Sequence, residues 1–249
     1  MNPIVKFFRN IFGFYALLIF IIVLIVAAIC HTLVFTFVNE KRAPFFAHKW
    51  VSRPWARTLL IFYGIRMKTY DQKILDPKQS YIFIANHRSL LDIPTFALAH
   101  HHTFRFLAKA ELLKLPLFGY LIKKLYITVD RKDKTARARS MDNMIRSLRE
   151  GISVFIYPEG TRNKSNDPLL PFHDGAFRLA IQTQLPLAVM VIRNADHLLS
   201  PKFPFALRPG LIICQWCEII PTAGLTQADL PMLKEKAIHA MTRHLKIII

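Results

Sequence analysis

Cysteine is nearly absent from this chain: 249 residues hold three, Cys30, Cys214 and Cys217. That excludes a disulfide framework. Cys214 and Cys217 form a lone C-x-x-C inside an apolar run, Leu211 to Ile220, that reads as a strand. Residues three apart on a strand point to opposite faces. No second cysteine pair completes a four-cysteine zinc site, so no metal site is expected. Also lacking are a G-x-G-x-x-G and a P-loop, so no nucleotide cofactor is expected. No serine sits in a G-x-S-x-G elbow, which argues against a covalent serine intermediate. Internal repeats and low-complexity tracts are missing too. Acidic residues are scarce, 16 against 34 Lys plus Arg, for a net charge of +18. Such a surplus draws anionic partners: nucleic acid, anionic lipid or a phosphorylated substrate.

Charge of either sign is absent from Ile11 to Val38. A bilayer core needs about 20 apolar residues of helix, so this stretch is long enough to span one. A signal peptide would have a shorter apolar region and a small-residue cleavage site. The segment turns the charge argument toward lipid and away from nucleic acid, for which no binding module is visible. His31 reads as a polar residue near the bilayer edge. Lys6 and Arg9 flank the run on one side, and Lys41, Arg42, Lys49, Arg53 and Arg57 on the other. The larger basic group places the downstream domain on the cytoplasmic face (of the inner membrane, if the cell is bacterial). A hairpin inserted without full crossing is the other option. Residues 44–63 mix aromatics with cations, as in a helix lying in the interface. The alternative is an amphipathic helix packed on the domain. Pro54 is expected to kink or split it. The chain thus divides into a membrane-anchoring segment, 1–63, and a second domain, 64–249.

In that second domain short apolar runs alternate with helical stretches, which argues for an α/β sheet covered by helices. Two loops stand out. Asn86-His87-Arg88-Ser89-Leu90-Leu91-Asp92 follows the strand candidate Tyr81–Ala85 and precedes a helix expected to reach about His101. His87 and Asp92, five apart, meet only if the chain bends between them. Ser89-x-x-Asp92 has the form of a capping box, with Ser89 as N-cap, which supplies the bend. An imidazole backed by a carboxylate is a general base. The bland reading is a capping aspartate beside a loop histidine. His100-His101-His102 reads as a solvated helix end. The second loop, Tyr157-Pro158-Glu159-Gly160-Thr161-Arg162-Asn163, follows the strand candidate from Ile152. Arg162 suits a phosphate because its planar fork donates bidentately. Gly160 lets the backbone approach a ligand closely. Glu159 would orient a hydroxyl or pair with Arg162.

Together the two loops resemble the glycerophospholipid acyltransferase family, and within it the 1-acylglycerol-3-phosphate acyltransferases. There an N-H-x-S-x-x-D block carries the catalytic His and Asp, and an F-P-E-G-T-R-S block binds glycerol phosphate. The likeness covers roughly Tyr81 to Met190. Lys109-x-Glu111-Leu112, with Pro116 and Gly119, is similar to the family's K-x-E-L…P…G segment, whose lysine is implicated in phosphate binding. Arg131 matches the end of a G-x-x-F-I-x-R block. Leu185-Pro186-Leu187-Ala188-Val189-Met190 keeps the first proline of the V-P-I-V-P-V block and lacks the second. The resemblance implies a central mixed, largely parallel sheet flanked by helices. It also implies His87 and Asp92 as the catalytic pair, and Lys109, Arg131, Glu159, Gly160, Thr161 and Arg162 around the glycerol phosphate. The implied reaction moves an acyl group from acyl-CoA or acyl-carrier protein to lysophosphatidic acid, giving phosphatidic acid, with no cofactor. Another lysophospholipid or acyl-amino-acid lipid as acceptor, or a non-catalytic lipid-binding protein, are the alternatives.

Overall fold

The computed structural model describes residues 3–115, 117–130, 132–203 and 206–246. The uncharged stretch lies in one helix, α1 (Pro3–Phe37). After a tight turn the chain comes back through α2 (Ala43–Ala47), a π turn (His48–Ser52) and α3 (Arg53–Phe62). The π turn sits where Pro54, in the first turn of α3, has no N–H to give the preceding helix; the Arg53 N–H reaches His48 O instead. The return path is antiparallel to α1. Tyr63 Oη donates to Ala16 O (3.1 Å) at one end, and His31 Nε2 meets Ser52 Oγ (3.1 Å) further along. His31 is therefore buried between helices, its Nδ1 bonded to Ala27 O, and not at an open bilayer edge.

One stripe of α1, Ala16, Leu24, Ala27, Ala28, His31 and Val34, is buried at helical spacing. The opposite stripe exposes Phe14, Leu18, Ile22, Ile25, Ile29 and Leu33. On the return path Ala43, Ala47, Val51, Ala56 and Leu59 face inward while Phe46, Trp50 and Ile61 face out. This segment is packed on the domain along one side and apolar on the other. Ala16, Leu59 and Tyr63 share one apolar cluster with Phe83, Phe96 and Trp216, so the core is continuous across residue 63.

The rest is an α/β unit. In chain order it runs β1 (Ile65–Tyr70), β2 (Ile82–Ala85), α4 (Asp92–Leu98), β3 (Phe104–Lys109), α5 (Phe118–Leu125), β4 (Ile127–Val129), α6 (Lys134–Arg149) and β5 (Ser153–Ile156). It continues with α7 (Gly175–Thr183), β6 (Leu187–Arg193), α8 (Ala195–Leu198), β7 (Gly210–Ile220) and α9 (Leu230–Leu245). The strands form one sheet in the order β1-β7-β6-β2-β5-β3-β4. Every pairing is parallel except β6 with β7. The expected mixed, largely parallel sheet with helices is what forms. The central strands β2, β5 and β6 are buried on both faces, as strands sandwiched between helix layers must be. One face carries α1, α3 and α4; the other carries α6, α7 and α9. On β7, Cys214 joins the first cluster and Cys217 packs against the second, so the two thiols face opposite ways.

The helix expected to run to His101 stops at Leu98. His100 is not solvated: its ring is fully buried among Phe83, Phe96, Phe104 and Trp216. His48 of the π turn packs edge-on against the same Phe104. Burial holds both imidazoles below their ordinary range, His48 down to about 3, so each packs as a neutral ring. Arg53 closes the place, donating to the Ala97 and His100 carbonyls.

Candidate active site

β2, β5 and β3 are adjacent and parallel, so the loops leaving their carboxyl ends share one edge of the sheet, where ligands of open α/β sheets bind. The first loop begins with Asn86, whose side chain grips β6 twice: Nδ2 donates to Ile192 O (2.9 Å) and Oδ1 accepts from Ile192 N (2.7 Å). The chain then turns around Asp92. Its Oδ2 accepts from the Arg88 N–H (2.8 Å), the Ser89 N–H (2.8 Å) and His87 Nδ1 (2.9 Å). The bend is the one expected, but it is made differently. The helix starts after Leu91, and Ser89 is not its N-cap. Ser89 Oγ accepts from Leu91 N and donates to Leu199 O (2.8 Å), locking the loop to the segment after α8.

With Nδ1 donating to a carboxylate, His87 Nε2 is left as the basic nitrogen. Asp92 is 1% exposed and His87 14%, so the base meets a ligand while its partner stays dry. Tyr157 fixes the plane of the imidazole, its ring stacked at 3.8 Å and 12°.

The second loop holds the first through its backbone. Glu159 Oε1 accepts from the His87 N–H (2.7 Å) and Oε2 from the Leu170 N–H (2.9 Å). Asn163 N donates to His87 O (2.7 Å). His87 is thus clamped on both sides of its own peptide unit. Glu159 was expected among the ligand contacts or paired with Arg162. It is instead 2% exposed, with both oxygens spent on main-chain N–H groups. Burial raises its carboxyl, and the two N–H bonds oppose that rise. Arg162 is left half-buried and makes no ion pair with any described residue. Thr161 beside it is exposed, and Gly160 takes φ +72°, the left-handed turn a glycine permits. Lys109, at the end of β3, is exposed at the same edge. Arg131 lies outside the described residues.

Arg88 was passed over because it fills a variable position of the motif. It pairs with Asp196 (2.6 Å) and donates to the Asp167 and Ser165 carbonyls. It joins the two loops to α8. Its partner is 108 residues away, with no local pattern to announce it.

Tyr157 stands where the related motif has Phe, and its hydroxyl is buried without a partner among the described residues. Tyr157→Phe is expected to raise stability by about 1–3 kcal/mol and to leave turnover nearly unchanged, since the stacked ring remains. Chemical denaturation reads this; a loss of stability would show that the hydroxyl is satisfied.

A carboxylate-backed imidazole stands beside Arg162 and Lys109, which make no ion pair among the described residues, an arrangement chemically able to take a proton next to a bound anion. The acyltransferase family model matches residues 66–193. Human 1-acyl-sn-glycerol-3-phosphate acyltransferase beta is 35% identical over 74% of this chain and 66% of its own length. The mouse alpha enzyme is 32% identical over 72% and 63%. The crystal structure of the 1-acyl-sn-glycerophosphate acyltransferase PlsC from Thermotoga maritima shares the fold, with TM-score 0.80, 20% identity and 99% and 97% coverage. The chain belongs to the acyltransferase family, and its relatives include enzymes named 1-acyl-sn-glycerol-3-phosphate acyltransferase. It spans about two thirds of the length of the curated relatives named here.

Proposed function

We propose that this chain moves a fatty acyl group from acyl-CoA or acyl-carrier protein to the 2-hydroxyl of 1-acyl-sn-glycerol-3-phosphate, forming phosphatidic acid without a cofactor. The observation that carries this is the His87–Asp92 pair, with Nδ1 committed and Nε2 left as base, beside Arg162, which has no ion pair among the described residues. The acceptor hydroxyl gives its proton to Nε2 as its oxygen bonds to the thioester carbonyl carbon. The C–S bond then breaks, and the imidazolium returns the proton to the leaving thiolate. Asp92 holds the tautomer and stabilises the cation between these steps. Arg162, Lys109 and Arg131 take the phosphate, with Gly160 and Thr161 alongside. Glu159 acts through the peptide of His87. A narrow apolar crevice is lined by Ile93, next to Asp92, and by Phe106, Tyr126, Trp55 and Phe35; in this reading the acyl chain enters by parting these side chains.

The exposed stripe of α1 faces lipid in this reading, and the catalytic domain sits on the cytoplasmic side. Packing against the domain begins at Phe12, so the uncharged stretch of α1 is covered along one side for nearly its whole length. A helix crossing the roughly 30 Å hydrocarbon core needs about 20 residues free to face lipid all round, which that packing does not leave. We read α1 and its return path as a hairpin set into the membrane beside the domain.

The test is acyl transfer from labelled oleoyl-CoA, with 1-acyl-glycerol-3-phosphate or lysophosphatidylcholine as acceptor. The phosphate monoester is preferred, and Arg162→Ala raises its KM about 10- to 100-fold, the worth of a charge-assisted bond. Equal use of both acceptors, unchanged in Arg162→Ala, would overturn the assignment of acceptor.

A further inference from the structure

After Lys109 and into the first turn of α5 the chain exposes Leu113, Leu115, Leu117 and Tyr120, each between 39% and 48% exposed. Four large apolar side chains within eight residues form the kind of patch that marks an interaction surface. The fold builds this patch deliberately. Gly119 N donates to Leu115 O (2.7 Å), and a Cβ on Gly119 would lie 2.2 Å from Leu113 O. The segment is therefore folded back on itself as tightly as a glycine allows. Leu117 holds φ 61°, a conformation that costs an ordinary residue of order 1–3 kcal/mol. Local propensity does not explain a strained leucine pointing outward.

The inner side of this knuckle rests on α1. Leu121 packs with Leu24 and Ala28, with Phe118 partly buried against them, and Thr32 Oγ1 donates to Tyr120 Oη (3.2 Å). The knuckle thus rests on α1 at the level where Ile25 and Ile29 are exposed. Lysines ring the patch: Lys109 and Lys114 before it, Lys123 and Lys124 after it, all exposed. An apolar centre with a basic rim matches a bilayer surface carrying anionic headgroups.

We propose that residues 113–115 and 117–120 form a second lipid-contacting element, which dips into an anionic membrane beside α1. This rests on the reading of α1 as lipid-facing. Because the knuckle directly follows Lys109, its immersion sets the mouth of the site against the lipid surface. A lysolipid then passes sideways from membrane to site, its phosphate handed along the lysine rim, with its acyl chain never crossing water.

The experiment has two arms on the full chain in vesicles of phosphatidylcholine and phosphatidylglycerol. In the first, a nitroxide is placed at Leu115→Cys, with Cys30→Ser and Cys217→Ser removing the two partly exposed native thiols; Asp142→Cys on exposed α6 is the control. The label at 115 is expected to relax more with oxygen than with a water-soluble nickel chelate, and the label at 142 the reverse. Equal chelate access at both positions would overturn the proposal, whether or not the protein is active. In the second arm, Leu115→Asp with Leu117→Asp raises the KM for vesicle-borne lysophosphatidic acid about tenfold, the worth of moving leucines out of an apolar phase. The turnover of a short-chain, water-soluble acceptor stays as it was. If the variant fails only with carrier-protein donor and not with acyl-CoA, the patch docks that protein and the lipid assignment is wrong.

Discussion

Asp92→Asn is expected to lower kcat for acyl transfer by about 10⁴, the loss seen when a carboxylate behind a catalytic imidazole becomes an amide, with little change in KM. Asp92 Oδ2 gathers three N–H groups: two from the backbone of the turn and one from His87. An asparagine oxygen still serves the Arg88 and Ser89 N–H groups, so the bend and the start of α4 survive. What is lost is the charge that holds the proton on Nδ1 and stabilises the imidazolium. With an amide there, the proton sits readily on Nε2, and the base becomes a donor. Asp92→Ala removes the acceptor for all three groups and is expected to cost stability as well, since buried N–H groups left bare cost about 1–3 kcal/mol each. Comparing the two variants by kcat and by urea unfolding separates the chemical role from the structural one. A kcat for Asp92→Asn within tenfold of the wild type would remove His87 from the role of base.

Glu159→Ala is expected to destabilise the protein by about 3–5 kcal/mol, because two buried main-chain donors lose their acceptor together. It also releases the peptide of His87, so kcat falls while the acceptor's KM moves little. Glu159→Gln keeps one oxygen and one of the two bonds, and should fall between. Urea unfolding in detergent with steady-state kinetics checks both. A raised KM with unchanged stability would mean that Glu159 meets the substrate after all, and that its bonds to His87 and Leu170 are dispensable.

These two residues show what was legible in the chain. The His87–Asp92 contact could be foreseen because both partners and the bend between them lie within six residues. The sheet could be foreseen because strands buried on both faces leave unbroken apolar runs such as Leu187–Ile192. The clamp on His87 could not, because Glu159 and Asn163 bond to its backbone, and a backbone carries no signature in sequence. Glu159 therefore looked like a ligand contact on its chemistry alone. His100 misled for a related reason. A run of three histidines suggests solvent, whereas one of them fills an aromatic pocket whose walls come from β2, α4, β3 and β7. Arg88 escaped notice because its meaning depends on Asp196, and only the folded chain brings the two together.

The buried stripe of α1 bears on how this protein can be taken apart. In the proposed reading α1 faces hydrocarbon on one side and the interior of the α/β unit on the other, and so answers to two solvents at once. At Ile22 or Ile29 many apolar residues would serve equally well. At Ala16, Ala28 and His31 shape and hydrogen bonding are prescribed, since Tyr63, Leu121 and Ser52 close on them. Hydropathy cannot see the difference. A borrowed membrane helix of the same length would satisfy the bilayer and leave the flank of the sheet uncovered. The helical segment and the α/β unit are therefore not interchangeable parts; they pack, and fail, as one piece.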